Sequence, residues 1–171
     1  MILTWKEILK EFKNWKIKID LFNKKNITTN SYDLHLWDKI LKYKDNILDS
    51  SKENNYDIID IPKDWYILEQ WEFVLASSKE KIWSNFYVPI IHNKSWVARL
   101  GLFIHITADL IDIWSYGNIT YQLFATLPVK IYPNMKIAQV SFWQPKWDIE
   151  LYKWKYQNSE GPKASKIHLD F

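Results

Sequence analysis

Apolar and polar residues alternate with a period of two along most of this chain, and turn-forming or charged clusters interrupt the alternation about every ten residues. The pattern predicts strands over 16–21, 31–36, 41–47, 57–62, 65–68, 72–76, 86–91, 102–106, 118–125, 129–132 and 136–142, with polar loops at 26–30 and 49–55. The segment 4–14 departs from it. Ile8, Leu9 and Phe12 recur there at helical spacing among lysines, which predicts one short amphipathic helix with Thr4 as its N-cap. Many short strands so spaced build a sandwich or barrel, not a βαβ fold. The polar tail from Lys153, ending Ser165-Lys-Ile-His-Leu-Asp-Phe, reads either as a disordered terminus or as a lid that orders over a ligand.

Composition narrows the class. A chain of 171 residues fits one domain, and 47% hydrophobic with 25% charged residues reads as globular. The formal charge of +3 is spread over scattered lysines, so no basic patch points to nucleic acid. There is no cysteine, hence no disulfide, thiolate nucleophile or cysteine-ligated zinc, and a deaminase working through such a zinc is excluded. No apolar run approaches the roughly 20 residues that span a bilayer, and Lys6 and Glu7 interrupt what a signal peptide would keep apolar. The expectation is a cytoplasmic protein that binds neither membrane nor nucleic acid.

Tryptophan and glycine usage is inverted, with 11 tryptophans against 3 glycines. Average usage of about 7% would give roughly twelve glycines in a chain this long. Trp5, Trp15, Trp37, Trp65, Trp71, Trp83, Trp96, Trp114, Trp147 and Trp154 stand at such places as the end of the first helix and the joints between strands, whereas Trp143, in Ser-Phe-Trp-Gln-Pro, reads as a true aromatic. Two readings follow: ten glycines encoded by UGA and translated here as tryptophan, or an aromatic-rich protein with stacking or interface tryptophans. Glycine reaches positive φ without the Cβ penalty and tryptophan does not, so backbone geometry distinguishes them.

Several motifs stand in a fixed order: Met1-Ile-Leu-Thr, Asn30-Ser-Tyr-Asp-Leu, Lys94-Ser through Leu102, Ile111-Asp through Gly117, Tyr132-Pro-Asn-Met-Lys-Ile-Ala-Gln139 and Lys155-Tyr-Gln. Together they resemble the dCTP deaminase and dUTPase superfamily across nearly the whole chain. The resemblance implies a mainly β, distorted jelly-roll-like barrel with one N-terminal helix, a single unit over 1–171 whose residues 153–171 act as the lid. It also implies a homotrimer with sites between subunits.

By that resemblance Lys94, Ser95 and Arg99 form the phosphate motif, chemically apt because phosphate oxygens take cations, hydroxyls and backbone amides. His105, Thr107 and Ala108 belong to the hairpin that receives pyrimidine and sugar, His105 being a lining or core histidine more than a proton carrier. Asp112 binds the sugar and, in the hydrolases, activates water. Asp33 helps organise a magnesium–water shell, Mg2+ itself riding mainly on the triphosphate, and a buried structural carboxylate is the equal alternative. Gln139 lies near the phosphates, and Lys155, Tyr156, Ser165 and Lys166 form the closing lid, with Ser159 where many deaminases carry glutamine.

Gln122 departs from the deaminase pattern, which has a proton-moving glutamate at that position. Glutamine keeps the reach but cannot serve as a base. The expectation drawn is therefore a dUTP diphosphatase, releasing dUMP and pyrophosphate. The alternatives are a dCTP deaminase that continues to dUMP, or a weakly active nucleotide-binding homologue; outside the superfamily, real tryptophans would suit a carbohydrate-binding sandwich.

Overall fold

A computed structural model describes residues 1–171. One nine-residue helix, α1 (Trp5–Lys13), precedes ten strands: β1 (Ile17–Ile19), β2 (Tyr32–Tyr43), β3 (Tyr56–Asp60), β4 (Tyr66–Leu68), β5 (Phe73–Ser84), β6 (Val88–Asn93), β7 (Leu102–Phe103), β8 (Gly117–Ala125), β9 (Val129–Ile131) and β10 (Lys136–Trp143). A one-turn helix, α2 (Ser95–Ala98), sits between β6 and β7. No helix is long and apolar enough to cross a membrane.

The strands form one sheet in the order β6-β10-β2-β5-β8-β7, with β1 added to β5 and β3 to β2; β4 and β9 make a separate pair. Every ladder is antiparallel. The sheet curls into a nearly closed barrel. Asn93, at the end of β6, donates to the Leu102 carbonyl at the start of β7 over 2.7 Å, and Ile91 and Ile111 exchange backbone bonds with Asp109 and Pro89 along the free edge of β6. The inward positions Leu34, Leu36, Val74, Tyr121, Leu123 and Val140 are all essentially buried, as strand alternation requires.

The predicted strands 31–36 and 41–47 are joined in one twelve-residue strand, because Trp37 and Asp38 stay extended, and that strand ends at Tyr43, short of the predicted residue 47. Likewise β5 runs on from the predicted 72–76 to Ser84 through an irregularity between Ser77 and Lys81. Polar residues hid that continuation, since Ser77, Ser78 and Glu80 are all buried. Glu80 accepts from the His35 backbone at 3.0 Å and lies 2.5 Å from its Nδ1, so burial of the carboxylate is compensated. The predicted strand over 102–106 shrinks to two residues, and α2 was absent from the sequence pattern. Thr4 occupies the N-cap of α1 in extended conformation, without a side-chain capping bond.

None of the tryptophans is in the buried core. Only Trp143 donates its indole N–H within the fold, to Ser141 Oγ at 2.8 Å. Of the ten others, Trp15, Trp71, Trp114 and Trp147 have φ of 59°, 65°, 79° and 74°. After α1, Lys16 N–H reaches the Glu11 carbonyl at 3.0 Å and Trp15 N–H reaches Phe12 at 3.2 Å, the paired bonds of a helix ending whose left-handed residue is Trp15. The other six adopt no left-handed backbone.

Candidate active site

A cavity of about 620 Å³ opens beside β8, between the 105–118 connection and the tail. Its position follows from how that connection is anchored. Ile111 donates to Pro89 at 3.0 Å, Trp114 donates to Ser84 at 2.8 Å, and between them Ser115 N–H closes a four-residue turn on the Asp112 carbonyl at 3.1 Å. The φ of 79° at Trp114, the third residue, is that of a type II turn, which favours glycine there. Asp112 is thereby presented at the cavity wall, exposed and without a side-chain hydrogen bond. It is the only carboxylate among the lining residues, and Lys163 is the only cation.

Gln122 lines the same cavity from β8. Its backbone N–H donates to Ile104 at 2.8 Å and its Oε1 accepts from Ile106 N–H at 3.4 Å, which orients the amide and leaves Nε2 without a protein partner. Ala108 also lines the cavity, while Thr107 is exposed outside it and His105 is half-buried, its Nδ1 enclosed and unpartnered.

The tail folds back over this opening. Tyr156, Ser159, Lys163 and Ser165 join the lining. Ser165 N–H donates to Tyr43 Oη at 2.9 Å, Lys163 N–H to Thr120 Oγ1 at 3.1 Å, and Gly161 N–H to Asn118 Oδ1 at 3.1 Å. Lys155 and Lys166 do not line the cavity; each ammonium reaches the other's carbonyl, at 3.3 and 2.8 Å, and Lys155 also pairs with Asp170. Tyr116 joins the wall, its hydroxyl donating to Asp20 at 2.8 Å, and burial together with that bond pushes its pKa up.

The phosphate motif assembles elsewhere in the same chain. Lys94 is buried and ion-paired with Asp33 Oδ1, while Lys136 takes Oδ2 at 3.2 Å, and the Lys94 ammonium also lies 4.1 Å from the Trp96 ring centre. Gln139 pairs across β10 and β2 with Asp33, accepting from Ser31 Oγ at 2.9 Å and donating to Asn93 at 3.3 Å. Ser95 and Arg99 are exposed at the two ends of α2, and Arg99 has no acidic partner. None of these residues lines the cavity that holds Asp112. Asp33 does not fit the role of holding a magnesium–water shell, since both its oxygens already face ammonium groups.

Residue patterns alone pass over the frame that supports the turn. Gln157 accepts from Tyr116 N–H at 3.0 Å and donates to the Trp114 carbonyl at 2.9 Å, and Asn118 ties β8 to the β5 irregularity through the Ser78 carbonyl at 2.9 Å. The Lys155-Tyr-Gln motif contained the signal for Gln157; nothing marked Asn118.

Residues 2–145 match the profile of the family described as dCTP deaminase-like. A protein named dCTP deaminase, dUMP-forming, from Clostridium beijerinckii is 39% identical over 172 residues, covering 100% of this chain and 99% of the relative. One of the same name from Cytophaga hutchinsonii is 34% identical with the same coverage. The crystal structure of the 2'-deoxycytidine 5'-triphosphate deaminase from Agrobacterium tumefaciens superposes with a TM-score of 0.63 at 17% identity, covering 82% of this chain and 47% of that one. The chain belongs to the dCTP deaminase-like family, with the barrel fold of its members. The relatives bear the name of the deaminase that forms dUMP, which favours the alternative over the expectation of a dUTP diphosphatase.

Proposed function

We propose that this protein converts dCTP to dUMP, consuming two waters and releasing ammonia and pyrophosphate, as the names of its relatives suggest. The observation that carries the reading is one cavity in which Asp112, Gln122 and the folded tail meet. Asp112, the only carboxylate of the wall, is the group able to take a proton from water. Gln122, its oxygen occupied by Ile106 N–H, offers Nε2 as a donor to the pyrimidine ring edge. The tail excludes water when it lies closed, which strengthens each of these interactions.

Gln122 supports a second reading, hydrolysis of dUTP alone, because an amide cannot supply or accept the proton that replacing an amine requires. Ammonia and pyrophosphate release from dCTP and from dUTP, for the protein and for Gln122→Glu, tests both. Both products from dCTP support the first reading; pyrophosphate from dUTP with no ammonia from dCTP supports the second, and Gln122→Glu then gains ammonia release.

We further propose that the site is completed by neighbouring copies in a homotrimer. The separation of Arg99, Ser95 and Gln139 from the Asp112 cavity supports it. Mixing Asp112→Asn with Arg99→Ala subunits restores activity if one site draws on two chains, and restores none if it does not. Magnesium is assigned to the triphosphate, no side chain of the protein being given to it.

A further inference from the structure

The tail does more than cover the cavity. Its Tyr152 N–H meets the Ile113 carbonyl at 2.9 Å, Asn158 N–H meets the Tyr116 carbonyl at 2.8 Å, and Asn118 N–H meets the Ser159 carbonyl at 3.0 Å. Between these, the Gln157 amide spans Ser115, its oxygen accepting from Tyr116 N–H and its Nε2 donating to the Trp114 carbonyl, as a neighbouring strand would. Its own turn holds Asp112 by one internal bond. We infer that Gln157 is a positioning residue that locks the Asp112 turn to the docked tail, so that the carboxylate takes its working place only when the cavity is covered. This rests on the reading that Asp112 activates water.

Gln157→Ala and the shorter Gln157→Asn are compared with the unaltered protein. The expected result is a loss in kcat of about 10²-fold, the scale of a misplaced reacting group, with KM nearly unchanged. A raised KM with unchanged kcat would mean that Gln157 only anchors the tail, and would overturn the inference. Amide hydrogen exchange over 113–118 tests it without turnover: faster exchange in both variants supports the lock, and unchanged exchange overturns it. Should the unaltered protein turn over neither dCTP nor dUTP, the functional reading fails while the exchange result still decides for or against the lock.

Backbone geometry carries a second, independent inference. Trp15 is the left-handed residue of a helix ending, and Trp114 is the third residue of a turn; Trp71 is the third residue of another, closed by Glu72 N–H on the Glu69 carbonyl at 3.1 Å. None of the three side chains enters the core: Trp15 is 72% exposed, and Trp71 and Trp114, 63% and 38% exposed, each rest against one aromatic ring, Phe124 and Trp83, so little burial offsets the strain of a Cβ there. We infer that glycine is the natural occupant of these positions and of Trp147, the codon behind them being read as glycine in the source cell. Peptides of the protein made in that cell should carry glycine at 15, 71, 114 and 147; tryptophan in them would overturn the inference. In the sequence as written, each Trp→Gly at 15, 71 and 114 should raise Tm by about 2–8 °C, whereas Trp→Ala, which keeps the Cβ, should not. Equal effects of alanine and glycine would overturn the assignment of strain to the Cβ.

Discussion

Lys94 and Asp33 form an ion pair within the fold, their side chains 4% and 6% exposed. Removing one partner leaves the other charged and desolvated. Asp33→Ala should therefore destabilise by about 3–5 kcal/mol, read from urea unfolding. Lys136→Ala, which takes a 40% exposed ammonium from the same carboxylate, should cost about 0–1 kcal/mol. Comparable losses from the two would show that burial does not set the strength of this cluster.

The Asp112 carboxylate accepts no hydrogen bond within the fold and is exposed, so Asp112→Asn should leave unfolding unchanged. Pyrophosphate release should fall about 10²–10⁴-fold, the usual share of a positioned base. Activity within tenfold of the unaltered protein would remove Asp112 from the chemistry.

Gly117 and Ser159 approach so closely that a Cβ at 117 would lie 2.6 Å from the Ser159 nitrogen and 2.8 Å from its oxygen, at φ of 150°. Neither atom can rotate away, being backbone. Gly117→Ala should cost about 1–3 kcal/mol and undock the tail, seen as faster hydrogen exchange over 157–163.

Glu160 of the tail is held below its ordinary carboxyl range first by the hydrogen bond from Lys81, at 2.7 Å, and then by that ammonium's charge. Its contribution to docking is complete above 4.5 and is lost as pH falls through the lowered folded-state value. The pair is exposed and salt-screened, so the effect should be small, and Glu160→Gln should abolish the acid-dependent rise in tail exchange.

His92 lies against Ser141 Oγ at 2.7 Å, and burial, followed by the nearby His105, depresses its pKa. The unfolded chain takes up a proton near 6.5 that the folded chain refuses, so stability should decline as pH falls through 6.5 and level off below the folded-state value. His92→Gln should flatten that part of the profile; an unchanged slope would assign it to another group.

Elements whose signal is local were legible along the chain. Alternation marked most strands, the spacing of Ile8, Leu9 and Phe12 marked α1, and six ordered motifs pointed to the family. The tryptophan surplus likewise located four left-handed positions, Trp15, Trp71, Trp114 and Trp147, among its ten, and for the other six the backbone makes no such demand. The continuity of β2 and β5 emerged only in the folded barrel, where Ser77, Ser78 and Glu80 of β5 are buried although polar and so break the apolar alternation. The fold also decided which candidates share a wall. Asp112, Gln122 and the tail meet because β8 carries Gln122, the edge of β6 anchors the connection that presents Asp112, and the tail bonds to β8 and to the Asp112 turn, while Lys94 and Asp33 are held together by a Coulomb attraction that offsets the cost of desolvating both. Such partnerships join residues far apart along the chain, and spacing in sequence holds no record of them.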